Sequence, residues 1–219
     1  MSLSDNFPIW KQLTEQQQNR LTAGTELRRV KAGTVVHNGS MDCLGMLLIR
    51  SGQLRAYILS EEGREITIYR MFEQDVCILS ASCVMPNIQF EIIIEAEKDT
   101  EFWVIPSCLY KSLVEESLPL SHYTNDLISS NFSDLMFLME QIMWKSFDKR
   151  LAAFLLEESK LENSRSLKIT HEKIANHMGT AREVVTRMLR YFQNEDMVKL
   201  TRGTVELLDQ KTLEKLSES

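Results

Sequence analysis

The spacing of apolar residues changes period twice along this chain. Residues 7–24 carry apolar positions at helical spacing and read as a short amphipathic helix pair ending at Gly24. From about Glu26 to Pro106 the pattern becomes short β-rich runs: TVVH, GMLLIRSG, QLRAYIL, EITIYRMF, FEIIIEAE and EFWVIP. Gly33, Gly39, Gly45, Gly52 and Gly63 punctuate them. Short strands at that spacing, with turns such as Glu62–Gly63, predict an antiparallel sandwich or barrel. Met85–Pro86–Asn87 predicts one further turn. From about Ser107 the period is helical again, and Pro119 stands near the start of a long segment, Leu120 to Lys145. Ile128, Leu135 and Ile142 share one heptad position and Leu138 takes the other, with Asn131 and Lys145 at polar points of the seam. Leu127, Phe132, Met136, Met139 and Trp144 widen the apolar surface. A seam this long needs partners, and we expect two on different faces: the chain's own β region and a second copy of the same helix. Ser146 to Asp148 predicts a hinge, DKRLAAFLLEESK another helix, and residues 161–167 a polar loop.

The stretch from Leu167 to Leu200 then reads as two short helices around a tight turn. Thr170 N-caps the first, which carries Ile174, Ala175 and Met178 on one side, and Gly179 supplies the turn. Thr180 and Glu183 have the S/T-x-x-E spacing of a capping box, so the second helix is expected to begin at Thr180. At 100° per residue Val185, Met188, Leu189 and Phe192 form one apolar stripe. Glu183, Thr186, Arg187 and Arg190 lie opposite, flanked by Arg182 and Gln193. This is the pattern of a helix-turn-helix whose second helix lies against an anion. VKLTRGTVELL follows as a hairpin turning at Arg202–Gly203, and a small helix is expected near 210–217.

Charge sharpens this picture. The 219 residues carry a net charge of −6, yet Lys168 to Arg202 holds seven Lys or Arg against four acids. A modestly basic segment on an acidic body is a local anion-binding face. The start, MSLSDNFPIW, lacks the basic and apolar regions of a signal peptide, and no run of 18 apolar residues exists. We therefore expect a cytoplasmic protein with no membrane contact. Its four cysteines, Cys43, Cys77, Cys83 and Cys108, contain no CxxC and are not expected to pair there. No nucleophile–base constellation, metal-ligand spacing or P-loop is present, so the chain does not read as an enzyme. His171 reads as a surface residue at a helix start, and Met136, Met139 and Met143 as adaptable packing.

The order β domain, long helix, hinge, helix, helix-turn-helix and hairpin resembles the family of the catabolite activator protein and the fumarate–nitrate regulator (CRP/FNR). RLAAFLLEES, LKITHEKIANHMGTAREVVTRMLRYFQNEDMV and LTRGTVELLD carry the resemblance most strongly. KAGTVVHNGS, LLIRSGQLRAY and SEEGREITIYRM are similar to the family's cyclic-nucleotide-binding roll. The resemblance implies an α+β chain: a β-roll effector domain with N-terminal helices over 1–118, a dimerisation helix and hinge over 119–146, and a winged helix-turn-helix over 147–219. It implies a homodimer on palindromic double-stranded DNA, with RNA polymerase as a further partner. Carried over by position, Arg182, Glu183 and Arg187 match the base-reading trio of the catabolite activator branch, and Thr186 stands where the fumarate–nitrate branch has a serine. The chemistry agrees: Arg forks onto guanine O6/N7, Glu accepts from cytosine N4, and Thr can touch a thymine methyl. Thr170, Thr180, Arg190, Lys199 and Arg202 are placed for phosphates.

At the ligand site the sequence departs from the family. Cyclic-nucleotide binders carry Gly-Glu near the start of a cassette and Arg-Ser or Arg-Thr near its end. The glycine lets backbone N–H groups approach the phosphate and the arginine neutralises it. Here the cassette is EQDVCILSASCVMPNIQFEII, without glycine or a basic residue, and Gln89, Phe90 and Glu91 stand about where the arginine belongs. A carboxylate there repels a phosphate, so cAMP and cGMP are disfavoured. Cys77, Cys83, Phe90 and Glu91 become the candidate effector pocket for an unknown small molecule. Soft thiolates ligate haem iron, so Cys77 and Cys83 read either as haem ligands or as small core hydrophobes. The alternative function is a haem or redox sensor acting through a protein partner rather than DNA.

Overall fold

The structure is a computed structural model that describes residues 2–39, 44–80 and 91–218. The chain divides into two compact units, one of residues 1–59 and 68–135, the other of residues 60–67 and 136–219. The order is the expected α+β one: N-terminal antiparallel sheets, a long helix, then a helix-turn-helix with a small wing sheet.

In the first unit α1 (Leu3–Asn6), a 3-10 turn (Trp10–Gln12) and α2 (Glu15–Gly24) precede the sheets. The α2 N-terminus is closed by a capping box: Gln17 N–H donates to Thr14 Oγ1 at 3.3 Å, and Thr14 N–H donates to Gln17 Oε1 at 3.0 Å. Among the described residues eight strands follow: β1 (Glu26–Val30), β2 (Val35–Asn38), β3 (Met46–Ser51), β4 (Leu54–Leu59), β5 (Glu65–Met71), β6 (Val76–Cys77), β7 (Ile93–Ala96) and β8 (Thr100–Ile105). They form two four-stranded sheets, ordered β1-β8-β3-β6 and β2-β7-β4-β5. The run MLLI in β3 is apolar at every position because this central strand is buried on both faces. Leu47 and Ile49 pack with Leu54, Ala56, Ile94, Phe102 and Val104 between the sheets. Met46 and Leu48 join Trp103 and Ile105 against Leu21, Tyr110, Leu113 and Leu120 of the helices. Alternation along β3 thus feeds two cores. The turn at Gly52 needs a glycine: its φ is +96°, and a Cβ would stand 2.4 Å from the Asp99 carbonyl oxygen.

Charged pairs hold the second sheet. Arg55 faces Glu95 in register and bonds it at 2.9 Å, with its guanidinium 4.2 Å from the Tyr57 ring centroid. Arg70 meets Glu97 at 3.2 Å with both side chains nearly buried, and Gln53 Nε2 donates to Glu97 at 2.7 Å. The predicted turn at Met85–Pro86–Asn87 lies outside the described residues.

Helix α3 (Ser107–Glu116) leads to the long α4 (Leu118–Trp144), where Pro119 sits in the first turn, the place a helix tolerates its missing N–H. Thr124 and Tyr110 tie the two at 2.7 Å between hydroxyls. Along α4 the expected seam is half-buried at Ile128, Asn131, Leu135 and Leu138. Phe132, Met136, Met139, Ile142 and Met143 remain 41–65% exposed. Lys145, expected at a polar point of that seam, instead donates to the Ser217 carbonyl at 3.0 Å.

The helix breaks at Ser146, whose extended backbone opens α5 (Phe147–Leu161). The second unit continues with β9 (Ser166–Leu167), α6 (His171–Met178), α7 (Arg182–Asn194), β10 (Val198–Thr201), β11 (Thr204–Leu207) and α8 (Gln210–Glu218), and its sheet is ordered β10-β11-β9. Its core joins Leu151 and Leu155 of α5, Ile174 of α6, Val185, Leu189 and Phe192 of α7, Val205 of the wing and Leu213 of α8, all fully buried.

The capping box expected at Thr180 and Glu183 does not form. Gly179 adopts φ +65°, and the Thr180 N–H donates back to the Ala175 carbonyl at 3.1 Å, closing α6 in a Schellman turn. That bond places Thr180 in the turn, so α7 starts later, at Arg182 after the extended Ala181. Residues 60–67 back this turn: a Cβ on Gly179 would meet Ile66 Cδ1 at 2.9 Å. Gly179→Ala should therefore destabilise the protein by roughly 1–3 kcal/mol. Gly203→Ala, at φ +72° with no atom within 4 Å of the added Cβ, should cost less. Urea unfolding of both variants in the full chain measures the difference.

Candidate nucleic-acid interface

The site is one face of α7. Burial of Val185, Leu189 and Phe192 in the second unit's core fixes the helix about its axis, and with 100° per residue the opposite face follows. Arg182, Glu183, Arg187 and Arg190 are exposed on it, and Thr186 is half-buried beside them. These five residues, with Tyr191 and Asn194, line one open surface along the helix. Tyr191 and Asn194 were missed in the sequence. The signal was present, because each lies four residues beyond Arg187 and Arg190 and shares their face.

The flanking residues sit on separate elements. Thr170 is the N-cap of α6, where the Lys173 N–H donates to its Oγ1 at 3.1 Å. Thr180 lies in the turn, Lys199 on β10 and Arg202 at the wing tip, the last two exposed. Gln193, read as a flank of the polar face, instead braces the fold. Its Oε1 accepts from the Leu200 N–H at 2.9 Å and ties α7 to the wing. Behind the turn, Thr67 Oγ1 and His177 Nδ1 are 2.9 Å apart, and the buried His177 ring lies 5.4 Å from Phe154.

His171 departs from its expected role as a plain surface residue. It is half-buried, and its Nδ1 lies 2.9 Å from Thr186 Oγ1. The same hydroxyl donates to the Arg182 carbonyl at 2.9 Å. With the hydroxyl proton committed there, the imidazole carries its proton on Nδ1 and donates to Thr186. Burial, then the charges of Arg182 and Arg190, holds the His171 pKa below its usual value.

The candidate effector residues present a different environment. Cys77 is fully buried in the core between the sheets, its Sγ 3.7 Å from the Tyr69 hydroxyl, and burial pushes its thiol pKa up. Cys77 therefore packs as a buried thiol in that core. Glu91 is exposed, its Cβ beside Gly39. Cys83 and Phe90 lie outside the described residues, as does Cys43, and Cys108 is an exposed free thiol. Among the described residues, no helix is long and apolar enough to cross a membrane.

A winged helix-turn-helix whose second helix buries its apolar edge and turns its arginines outward is the output end of a DNA-binding transcription regulator. Residues 149–216 match the Crp-like helix-turn-helix domain. The whole chain is similar to a protein from Eubacterium rectale assigned to the crp/fnr family of transcriptional regulators. The crystal structure of that protein superposes with a TM-score of 0.96 at 57% identity, covering 98% of this chain and 100% of that one. The transcriptional regulator SdrP of Thermus thermophilus is 31% identical over 98 residues, 42% of this chain and 48% of that protein, so the match spans about half of its length. The transcriptional activator protein anr of Pseudomonas aeruginosa is 24% identical over 168 residues, 74% of this chain and 68% of that one. The chain belongs to the CRP/FNR family, whose members regulate transcription and are not enzymes.

The His171 environment has a pH consequence. The unfolded ring titrates near 6.5 and the folded ring lower. Between those values the unfolded chain binds more protons, so stability is lost as pH falls below 6.5. The thermal midpoint of the wild type should drop more between pH 6.5 and pH 5 than that of His171→Asn, which keeps a donor and does not titrate. Differential scanning calorimetry of both proteins checks this.

Proposed function

We propose that this regulator reads a palindromic duplex as a homodimer, through Arg182, Glu183, Thr186 and Arg187 at base edges. Thr170, Thr180, Arg190, Lys199 and Arg202 take phosphates. One observation carries the reading: α7 exposes Arg182, Glu183, Arg187 and Arg190 on the face opposite the buried Val185, Leu189 and Phe192. A guanidinium fork fits guanine O6/N7, and a carboxylate accepts from cytosine N4. The phosphate set is spread over α6, the turn, α7 and the wing, which suits fixing register on a duplex.

The second copy is supported by α4. Phe132, Met136, Met139 and Met143 follow 4-3-4 spacing on one stripe and are 45–65% exposed, a heptad seam awaiting a partner helix. Pairing through it sets two recognition helices about 34 Å apart, one DNA turn. An effector in the roll acts by binding two arrangements of the helix and its Ser146 break with different affinity. The chain is proposed to stand outside the cAMP-responsive members, because residues 73–93 carry no basic side chain to neutralise a cyclic phosphate. The packing of Cys77 inside the core between the sheets weighs against a haem sensor. RNA polymerase is the proposed downstream partner.

Two substitutions on α7 test the reading on a duplex selected from a random pool. Arg182→Ala should lose discrimination at one base pair per half-site, about 1–3 kcal/mol, with little effect elsewhere. Arg190→Ala should weaken all duplexes alike and reduce the slope of log affinity against log salt by about 1 per half-site. Uniform weakening by Arg182→Ala would remove it from the base readers. For the dimer, Met139→Glu should shift the sedimentation equilibrium to monomer and lower operator affinity at least ~10-fold by removing the second half-site.

A further inference from the structure

We propose that His171 is a specificity-determining positioning residue: it locks the Thr186 hydroxyl inward so that Thr186 reads a thymine by its methyl group. The inference rests on the DNA-reading role of α7 and extends that role to a residue on the other helix. Thr186 is the short side chain among the exposed Arg182, Glu183, Arg187 and Arg190. A free threonine hydroxyl serves either donors or acceptors on a base and specifies little. Here it is not free. It donates to the Arg182 carbonyl one turn back at 2.9 Å, and His171 Nδ1 approaches it at the same distance from the start of α6. The proton is committed within the protein, so Thr186 has none to offer thymine O4 or guanine O6/N7. What remains for the groove is the γ-methyl, whose complement is the thymine C5-methyl.

A hydroxyl bonded only to the preceding turn would leave χ1 divided between two rotamers, as is usual for threonine in a helix. The second bond, from an imidazole on a different helix, selects the rotamer that serves both partners. His171 is itself held: Thr170 caps the helix it begins, and its ring is half-buried. The charged groups facing the ring are Arg182 and Arg190 of α7, which favour its neutral form. Protonation adds a proton at Nε2 and leaves the Nδ1 donor in place, so the positioning does not depend on pH.

The test uses the full chain and a duplex selected from a random pool, with each thymine replaced in turn by deoxyuridine, which removes only the C5-methyl. One thymine per half-site should be sensitive, its replacement weakening wild-type binding about 4-fold, the worth of one buried methyl. Thr186→Val keeps the methyl and should keep that penalty. Thr186→Ser should lose it. His171→Ala should lower it below ~2-fold by freeing the rotamer, and His171→Asn, whose amide nitrogen overlays Nδ1, should restore it. In the Thr186→Val background His171→Ala should leave the penalty unchanged. A selected duplex indifferent to deoxyuridine, or a penalty abolished by Thr186→Val, would overturn the inference while leaving DNA reading intact. An equal effect of His171→Ala on the penalty in both backgrounds would overturn the positioning role. Failure to select any duplex would overturn the DNA reading itself.

Discussion

The second unit depends on the burial of one helix edge. Val185, Leu189 and Phe192 of α7 are all fully buried, in one core with residues of α5, α6, the wing and α8. Removing any one of them leaves a cavity in a small core, where large-to-small changes cost roughly 2–5 kcal/mol. Their burial allows a single rotation of α7 about its axis. Once that rotation is set, Arg182, Glu183, Arg187 and Arg190 are exposed by geometry alone, since no other face remains to them. The polar ties refine this arrangement: Gln193 holds the helix to the wing, and His171 holds its first turns to α6.

The first unit solves a different problem, that of central strands buried on both faces. β3 and β8 send alternate residues into two separate cores, one between sheets and one against helices. The neighbouring sheet carries Arg55–Glu95 and Arg70–Glu97 at positions with little solvent. Charges in such places are tolerated only when paired, so these pairs constrain register between strands. A slip of one residue would face Arg55 away from Glu95 and turn the apolar set out of its core.

Much of this was legible from the residues. Period-two runs broken by glycine marked the strands, and the seam from Ile128 to Leu138 marked the long helix. The stripe of Val185, Leu189 and Phe192 marked both the orientation of α7 and its outward arginines. The short strand β1, whose sequence ELRRV is four-fifths exposed, offered little alternation and was not singled out as a run. The strands β6 and β9, of two residues each, lie below the length at which any period can be read. The capping box at Thr180 was a sound local pattern that lost to a competing one. The αL turn at Gly179 claimed the Thr180 N–H first, and a residue in that turn cannot also begin a helix.

Sequence by itself determined the longer elements, their order, the basic segment and which face of α7 turns outward. Those properties follow from periodicity and local charge, both of which belong to the chain alone. Only the tertiary structure decided that His171 and Thr186, fifteen residues apart and on different helices, share a hydrogen bond. It also decided that Lys145 serves the end of α8, and that Cys77 packs in the core between the two sheets. Pairings of this kind depend on where two separate helices or strands come to rest. That position is set by the packing of the whole core, which no local spacing encodes.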